Sequence, residues 1–325
     1  MTPPSRVRIV EVGPRDGLQN EANTLPPEAK VALIEALVGA GLKTIEAGSF
    51  VSAKWVPQMA DTADVLARLD LQSDISYPIL VPNLQGLDQA LKEGVREVAV
   101  FGSASESFSQ RNINCSIAES FDRFAPVIEK ARGHGLKVRG YVSCVLGCPY
   151  EGDVAPQAVA RVASRLFALG CYEISLGDTI GVGTPIKAQK LIERVGAEIP
   201  VEHLALHFHD TYGQALANIL ACLELGVSVI DSAVAGLGGC PYAVGASGNV
   251  ATEDVAYMLR GMDVETGVDL DALAEAGRTI SRLLGREPAS KVARALAARA
   301  KGRQSETPGP SSERAPMQPI AGRFA

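Results

Sequence analysis

Two histidines, His207 and His209, stand two residues apart in the run Leu204-Ala-Leu-His-Phe-His-Asp210, whose composition reads as a strand. Side chains alternate faces along a strand, so the two imidazoles point one way and Phe208 the other. Imidazoles at that spacing can share a metal ion. They are two of only four histidines in the chain. His-x-His also arises in strands that bind nothing, so the case turns on what other elements bring to the same place.

Residues of matching chemistry sit at the ends of other predicted strands. Arg15 and Asp16 follow the first strand, Glu46 lies in the second, Asp178-Thr179 ends the sixth, and Asp210 closes the seventh behind the histidines. The eighth runs into Gly236-Leu-Gly-Gly-Cys240-Pro-Tyr-Ala-Val-Gly-Ala-Ser-Gly-Asn249. Each has an ordinary structural reading: Asp16 and Asp178 as helix caps, Glu46 as the partner of an interior arginine, Cys240 as a small buried filler. Gathered at one mouth, they point to a site. Two histidines, an aspartate and an asparagine offer two nitrogens and two oxygens, with positions left open for water or substrate. Carboxylate, amide and water oxygens suit Mg²⁺ or Mn²⁺, and imidazoles admit Zn²⁺, Co²⁺ or Fe²⁺ as well. Cys144 and Cys148 would supply only half of a closed zinc site and read as structural, so the ion is expected to be catalytic. The glycine-rich loop carrying Cys240 and Asn249 can bend over the mouth as a lid.

The elements that must position these residues repeat one pattern. Strands read as RVRIVEV, KTIEAGSF, DISYPILV, REVAVFG, KVRGYVSCV, YEISLGD, LALHFHD and SVIDSAVAG. Between them run amphipathic stretches over Pro26–Ala40, Val56–Leu69, Leu84–Glu93, Ser116–His134, Pro156–Leu169, Pro185–Ile199, Gly213–Leu225 and Thr252–Arg260. Gly41, Gly94, Gly135, Gly170 and Gly226 each close a helix before the next strand. Eight such units in about 250 residues predict an α/β fold, a (β/α)₈ TIM barrel, whose active site lies at the C-terminal ends of the strands. A doubly wound dinucleotide fold shares the alternation, but the first turn, Gly13-Pro-Arg-Asp-Gly17, lacks its glycine fingerprint. Two further helices, Leu270–Leu284 and Ala289–Lys301, are expected to pack over one mouth or edge of the barrel. The segment from Gly302 to Ala325 is rich in Pro, Ser, Gly and charge and reads as a disordered tail.

Composition bounds the function. The chain has 325 residues, 46% of them hydrophobic and 21% charged, as in a soluble globular protein. A net charge of -6 with no basic stripe gives no reason to expect nucleic acid. No apolar run is long enough to span a bilayer. The first strand begins near Val7, which leaves no room for a cleaved signal peptide. Six cysteines without framework spacing predict reduced thiols and a cytoplasmic setting.

The stretches EVGPRDGLQNE, EAGSFVSAKWVPQM, SLGDTIGVGTP, HFHDTYGQALAN and GLGGCPYAVGASGNVATEDV resemble those of the 3-hydroxy-3-methylglutaryl-CoA lyase family, in order and over nearly the whole barrel. The resemblance implies a pyruvate carboxyltransferase-like barrel over 7–274, a helical extension over 275–301 and the tail over 302–325. It implies a metal site of Asp16, His207, His209 and Asn249, holding Mg²⁺ or Mn²⁺. It makes Arg15 similar to the family's substrate-carbonyl arginine, Cys240 to its lid cysteine, and Glu46 and Asp178 to its essential acids. It further implies an acyl-CoA substrate, a homodimer in contact through the terminal helices, and a place in leucine degradation. Phe208 replaces a cysteine often found between the histidines, but it faces away from them. Ala53 stands where a proline is common. No cysteine follows Cys240, so the C-terminal thiol of animal members has no counterpart.

The residues suit that chemistry. Cleaving a C–C bond in a β-hydroxy thioester requires that the tertiary hydroxyl lose a proton, that hydroxyl and distal carboxylate be held, and that the departing enolate be stabilised. A divalent ion chelating hydroxyl and carboxylate lowers the hydroxyl pKa. Arg15 can stabilise charge on the thioester oxygen. Asp178, His207 and Glu46 are candidates for moving the proton, and Cys240 for protonating the enolate carbon. Acetyl-CoA and acetoacetate would result. The alternatives are a lyase for a bulkier 3-hydroxy-3-alkylglutaryl-CoA, a condensing synthase on a related barrel, and a metal-binding barrel without catalysis. The Gly-Gly-Cys240-Pro loop and the lack of a long regulatory domain argue against a synthase. The intact charged set argues against loss of catalysis.

Overall fold

A computed structural model describes residues 3–239 and 248–305. Its strands are β1 (Arg8–Glu11), β2 (Thr44–Ile45), β3 (Gly48–Ser49), β4 (Ile79–Leu80), β5 (Glu97–Ser103), β6 (Lys137–Ser143), β7 (Glu173–Asp178), β8 (Leu204–Phe208) and β9 (Val229–Ser232). All pair in parallel, in the order β2-β1-β9-β8-β7-β6-β5-β4-β3. The two ends of that order, β2 and β3, are pieces of one segment separated by Glu46 and Ala47. This segment bonds on both sides. Glu46 N–H donates to the Glu11 carbonyl at 2.8 Å, whereas Ile45 and Ala47 N–H donate to Ser76 and Pro78 at 2.9 and 3.2 Å. The sheet therefore curls until its two ends meet in this segment, among the described residues. The expected second strand is interrupted at the residue that carries a candidate site carboxylate.

Helices alternate with the strands: α1 (Pro27–Gly39), α2 (Thr62–Leu66), α3 (Leu84–Lys92), α4 (Glu106–Ile113), α5 (Ile117–Gly133), α6 (Pro156–Leu169), α7 (Pro185–Gly196), α8 (Ala215–Leu223) and α9 (Thr252–Gly261). Their buried stripes recur at helical spacing, as Ala188, Leu191, Ile192 and Val195 do along α7. Opposite them, Val98, Val138, Ile174, Leu176, Leu206 and Ile230 from the strands join the same apolar core. The glycines expected to close helices all have positive φ. Gly41 shows why: at φ 96°, a Cβ there would lie 2.2 Å from the Gly267 carbonyl oxygen.

Two helical stretches depart from expectation. Val56–Leu69 is not one helix but a 3₁₀ turn, Pro57–Met59, followed by the short α2. At the start of α2 Thr62 bonds back to the strand: its hydroxyl accepts the Ser49 N–H and shares its one proton between the Ser49 and Met59 carbonyls, at 3.0 and 2.9 Å. Ahead of α5 lies α4, an additional helix that Ser105 caps through the Phe108 N–H and Asn114 ends in the left-handed region at φ 51°. The stretch has no apolar stripe to announce a helix; its ends are set by these caps. Beyond the strand–helix units, α10 (Leu270–Leu283) packs against α1, α9 and the turn at Val234–Gly236, and α11 (Lys291–Ser305) packs against α9 and α10. The last helix thus continues past Lys301 to Ser305, and the remainder of the expected tail, 306–325, lies outside the described residues. Among the described residues, no helix is long and apolar enough to cross a membrane.

The start of α5 is a capping box. Ser116 Oγ accepts the Glu119 N–H, and Glu119 accepts the Ser116 N–H in return. Ser116→Ala removes one arm of it and should lower unfolding free energy by about 1 kcal/mol in urea titration, with no change in the slope.

Candidate active site

The site grows from the turn after β1. Residues Gly13–Gly17 form one wide helical turn, closed by the Gly17 N–H on the Val12 carbonyl at 3.1 Å. Glu11, wholly buried, clamps it by accepting the N–H groups of Gly13 and Val234 and the Thr252 hydroxyl. A side chain at Gly17 would collide with Leu237, 2.7 Å from where its Cβ would stand. The turn is thereby locked to the segment after β9, and Arg15 and Asp16 are presented together.

Arg15 is buried and spans two carboxylates. Its Nε and Nη2 lie 2.7 and 2.6 Å from Glu46 Oε2, and its Nη1 donates to Asp16 Oδ1 at 2.6 Å. Burial works against its charge, but Glu46 and Asp16 outweigh this and hold the guanidinium protonated. Glu46 has no exposed surface; burial raises its pKa, opposed by Arg15. Its other oxygen accepts the Tyr141 hydroxyl at 3.3 Å. The structural reading of Glu46, an interior arginine's partner, and the functional one thus describe the same contact.

Asp16, His207 and His209 each turn a ligand atom to one point, all within 4.8 Å of one another. Burial raises the Asp16 carboxyl, yet Arg15, His207, His209 and the Asn249 amide overcome it and hold its pKa near about 2. Burial, then the neighbouring His207, lowers His209 to about 4. For His207, burial lowers and the bond to Asp231 raises, and the net shift is upward. Phe208 turns into the apolar core, as strand alternation requires. Asn249 arrives from across the fold, bridged to His209 backbone to backbone, and its amide donates to Asp16 Oδ2 at 2.8 Å. This leaves the Asn249 carbonyl oxygen as the atom it can offer an ion. The Nδ1 atom of His209 is buried with no hydrogen-bond partner among the described residues. A buried imidazole nitrogen so placed, beside an ionised carboxylate, a second imidazole and an amide, fits a divalent cation.

Other predicted residues fall elsewhere. Asp178 accepts the Val182 and Gly183 N–H groups at 3.2 and 2.8 Å, fastening the loop after β7. Burial lifts its pKa to about 6 against those bonds. These bonds hold the loop rather than cap a helix, since α7 has Thr184 at its N-cap, and among the described residues they do not reach Asp16, His207 or His209. Asp210 accepts the Ala215 N–H at the start of α8. Cys144 and Cys148 are buried free thiols, with Cys148 Sγ 3.0 Å from Ser105 Oγ. Cys240 lies outside the described residues, as does most of its loop.

Beneath the cluster are residues that sequence reading passed over. Arg139 is fully buried and pairs with Asp231 through both terminal nitrogens, at 2.9 and 2.7 Å, and with Glu173 through Nε at 2.7 Å. Its Nη1 also donates to the Tyr141 hydroxyl. The Tyr141 ring meets His207 edge-on at 5.9 Å and lies under the Arg15 guanidinium at 5.6 Å. A signal existed: charged residues in mid-strand, in KVRGYVSCV and SVIDSAVAG, are out of place in a sheet buried on both faces.

Residues 6–280 match the HMGL-like family. The chain is 59% identical to the 3-hydroxy-3-isohexenylglutaryl-CoA/hydroxy-methylglutaryl-CoA lyase of Pseudomonas aeruginosa, over 92% of this chain and all of that one. It is also 59% identical to the mitochondrial hydroxymethylglutaryl-CoA lyase of Rattus norvegicus, over 90% of each. The crystal structure of hydroxymethylglutaryl-CoA lyase from Pseudomonas aeruginosa superposes with a TM-score of 0.90, covering 92% of this chain and 100% of that one.

The cluster yields a direct test. Asp16→Ala and His209→Ala should each weaken Mn²⁺ binding by more than about 100-fold, beyond the range expected for outer partners of a metal ligand. Titration calorimetry on the metal-stripped protein measures it, and unchanged affinity in either would remove that residue from the site.

Proposed function

The chain belongs to the HMGL-like family, and from that premise we propose that it is a lyase cleaving (S)-3-hydroxy-3-methylglutaryl-CoA to acetoacetate and acetyl-CoA. The observation that carries this is the convergence of Asp16, His207 and His209 beside the Arg15–Glu46 pair. The closed parallel sheet supports a (β/α)₈ barrel, with this convergence at the C-terminal ends of its strands.

Asp16, His207, His209 and Asn249 would hold the metal, for which Mg²⁺ or Mn²⁺ best suits the two oxygen donors and a hydroxy-acid substrate. When bound, it supplies Lewis-acid activation of the tertiary hydroxyl and a fixed grip on the substrate oxygens. Arg15 already has its fork oriented by Glu46 and Asp16, so its guanidinium meets the thioester oxygen without reorganising as negative charge grows there. Glu46 keeps Arg15 in place together with Asp16 and, raised by burial, is a candidate for carrying the hydroxyl proton. Asp178 is a further candidate for carrying the hydroxyl proton, whereas His207, with Nδ1 on Asp231 and its other nitrogen given to the metal, would have none free for it. Cys240, in the glycine-rich loop, would protonate the enolate carbon to release acetyl-CoA. The family supports a homodimer, and Leu283, exposed on α10, belongs to the surface offered for it. Free buried thiols accord with a cytoplasmic setting.

A second reading has its own support: the Pseudomonas aeruginosa relative carries a bulkier substrate, 3-hydroxy-3-isohexenylglutaryl-CoA, in its name. Assay of the purified protein against both thioesters separates the two. Cleavage of the methyl substrate, lost on chelation and restored by Mg²⁺ or Mn²⁺, is expected. Turnover of neither thioester, or full activity after chelation, would overturn the proposal. Arg15→Lys keeps the charge but loses the fork, and should lower kcat by about 10²-fold or more. A change confined to KM would move Arg15 to ground-state binding.

A further inference from the structure

Asp231 lies in β9 in direct register with His207 of β8, and none of the motifs that carry the family likeness contains it. Its carboxylate is saturated. Oδ1 accepts Arg139 Nη2 at 2.7 Å, and Oδ2 is approached by Arg139 Nη1 at 2.9 Å, Ser175 Oγ at 2.7 Å and His207 Nδ1 at 3.2 Å. On the other side of the His207 ring, Nε2 lies 3.7 Å from Asp16 Oδ2.

We propose that Asp231 is a positioning residue that fixes the ring orientation and tautomer of His207, leaving Nε2 as the atom offered to the metal. The geometry allows one assignment. A carboxylate held by a buried guanidinium is ionised and can only accept, so Nδ1 must carry the hydrogen. The neutral ring then has its lone pair on Nε2, the nitrogen facing Asp16. Arg139 is immobilised in turn by Glu173, which also takes Arg8. The His207 ring is thus anchored through Asp231 to a guanidinium with no exposed surface. Neutralising Arg139 would need only the two guanidinium contacts. The third partner on Oδ2, the imidazole, is what a metal-ligating histidine requires of its outer neighbour.

The inference rests on the metal reading above, and the test separates the two. Asp231→Asn makes the acceptor ambivalent but leaves buried Arg139 with Glu173 as its one remaining carboxylate partner among the described residues, so the double variant Arg139→Gln/Asp231→Asn, in which the pair itself is neutral, accompanies it. Mn²⁺ affinity is followed by electron paramagnetic resonance on the metal-stripped full chain. The His207 tautomer is read from ¹⁵N-histidine spectra at alkaline pH, with His207→Gln for assignment. The expected result is an Nδ1–H tautomer in the wild type and Mn²⁺ affinity weakened by about 10–100-fold in the folded variants. Wild-type affinity in either folded variant, or an Nε2–H tautomer in the wild type, overturns the role of Asp231. A wild type that binds no Mn²⁺ overturns the metal site itself, and the tautomer still decides whether Asp231 orients the ring. If neither variant folds, the wild-type spectrum decides alone.

Discussion

Everything in the site stands on one buried ion pair. Arg139 and Asp231 face each other from β6 and β9 with no exposure to solvent, joined by two hydrogen bonds, and each is bound to a further strand. Glu173 of β7 takes the Nε of Arg139, and Ser175 of β7 and His207 of β8 meet Asp231. Burying two charges is costly, and removing one member of such a pair typically destabilises by about 3–5 kcal/mol, a large share of the stability of an ordinary domain. Contacts this demanding hold only if four adjacent strands keep their register. The pair therefore ties sheet geometry to the placement of His207.

A second charged unit sits above it. Arg15, Glu46 and Asp16 form a chain that runs from the first turn to the interrupted strand. Tyr141 joins the two units, its hydroxyl between Arg139 and Glu46 and its ring beside Arg15 and His207. The inner face of the sheet is thus a polar lattice in which every guanidinium has a carboxylate. Such a lattice is preorganised: its dipoles are aimed before substrate arrives, which is the condition for electrostatic catalysis in a dry site. The apolar outer face of the same strands, packed on the helices, provides the burial that offsets the cost of enclosing these charges.

Backbone clamps complete the frame. Glu11 and Glu253 both lie wholly buried at the foot of the segment after β9: Glu11 accepts the Val234 N–H, and Glu253 accepts the Ala235 N–H. Ala235 sits in the left-handed region at φ 58°, a conformation that residues other than glycine seldom adopt without support. These carboxylates hold both the turn bearing Arg15 and Asp16 and the start of the glycine-rich loop, so the two meet at a set distance.

Much of this was legible in the residues. Strand alternation put His207 and His209 on one face and Phe208 on the other, because the period of two is a local property of extended chain. The repeating strands and helices, and the glycines between them, announced a parallel sheet wrapped in helices, since each unit must bury its apolar face against the next. Motif likeness pointed to Asp16, Asn249, Arg15 and Glu46, which the fold brings into contact with one another. What sequence could not decide was partnership across strands. Nothing local pairs Arg139 with Asp231, 92 residues away, or brings the Asn249 amide to Asp16 across 233. Nor could it tell that Asp178 spends its oxygens on its own loop. Those choices follow from register and closure of the sheet, where buried polar side chains distant in sequence must satisfy one another because burial takes them out of bulk solvent.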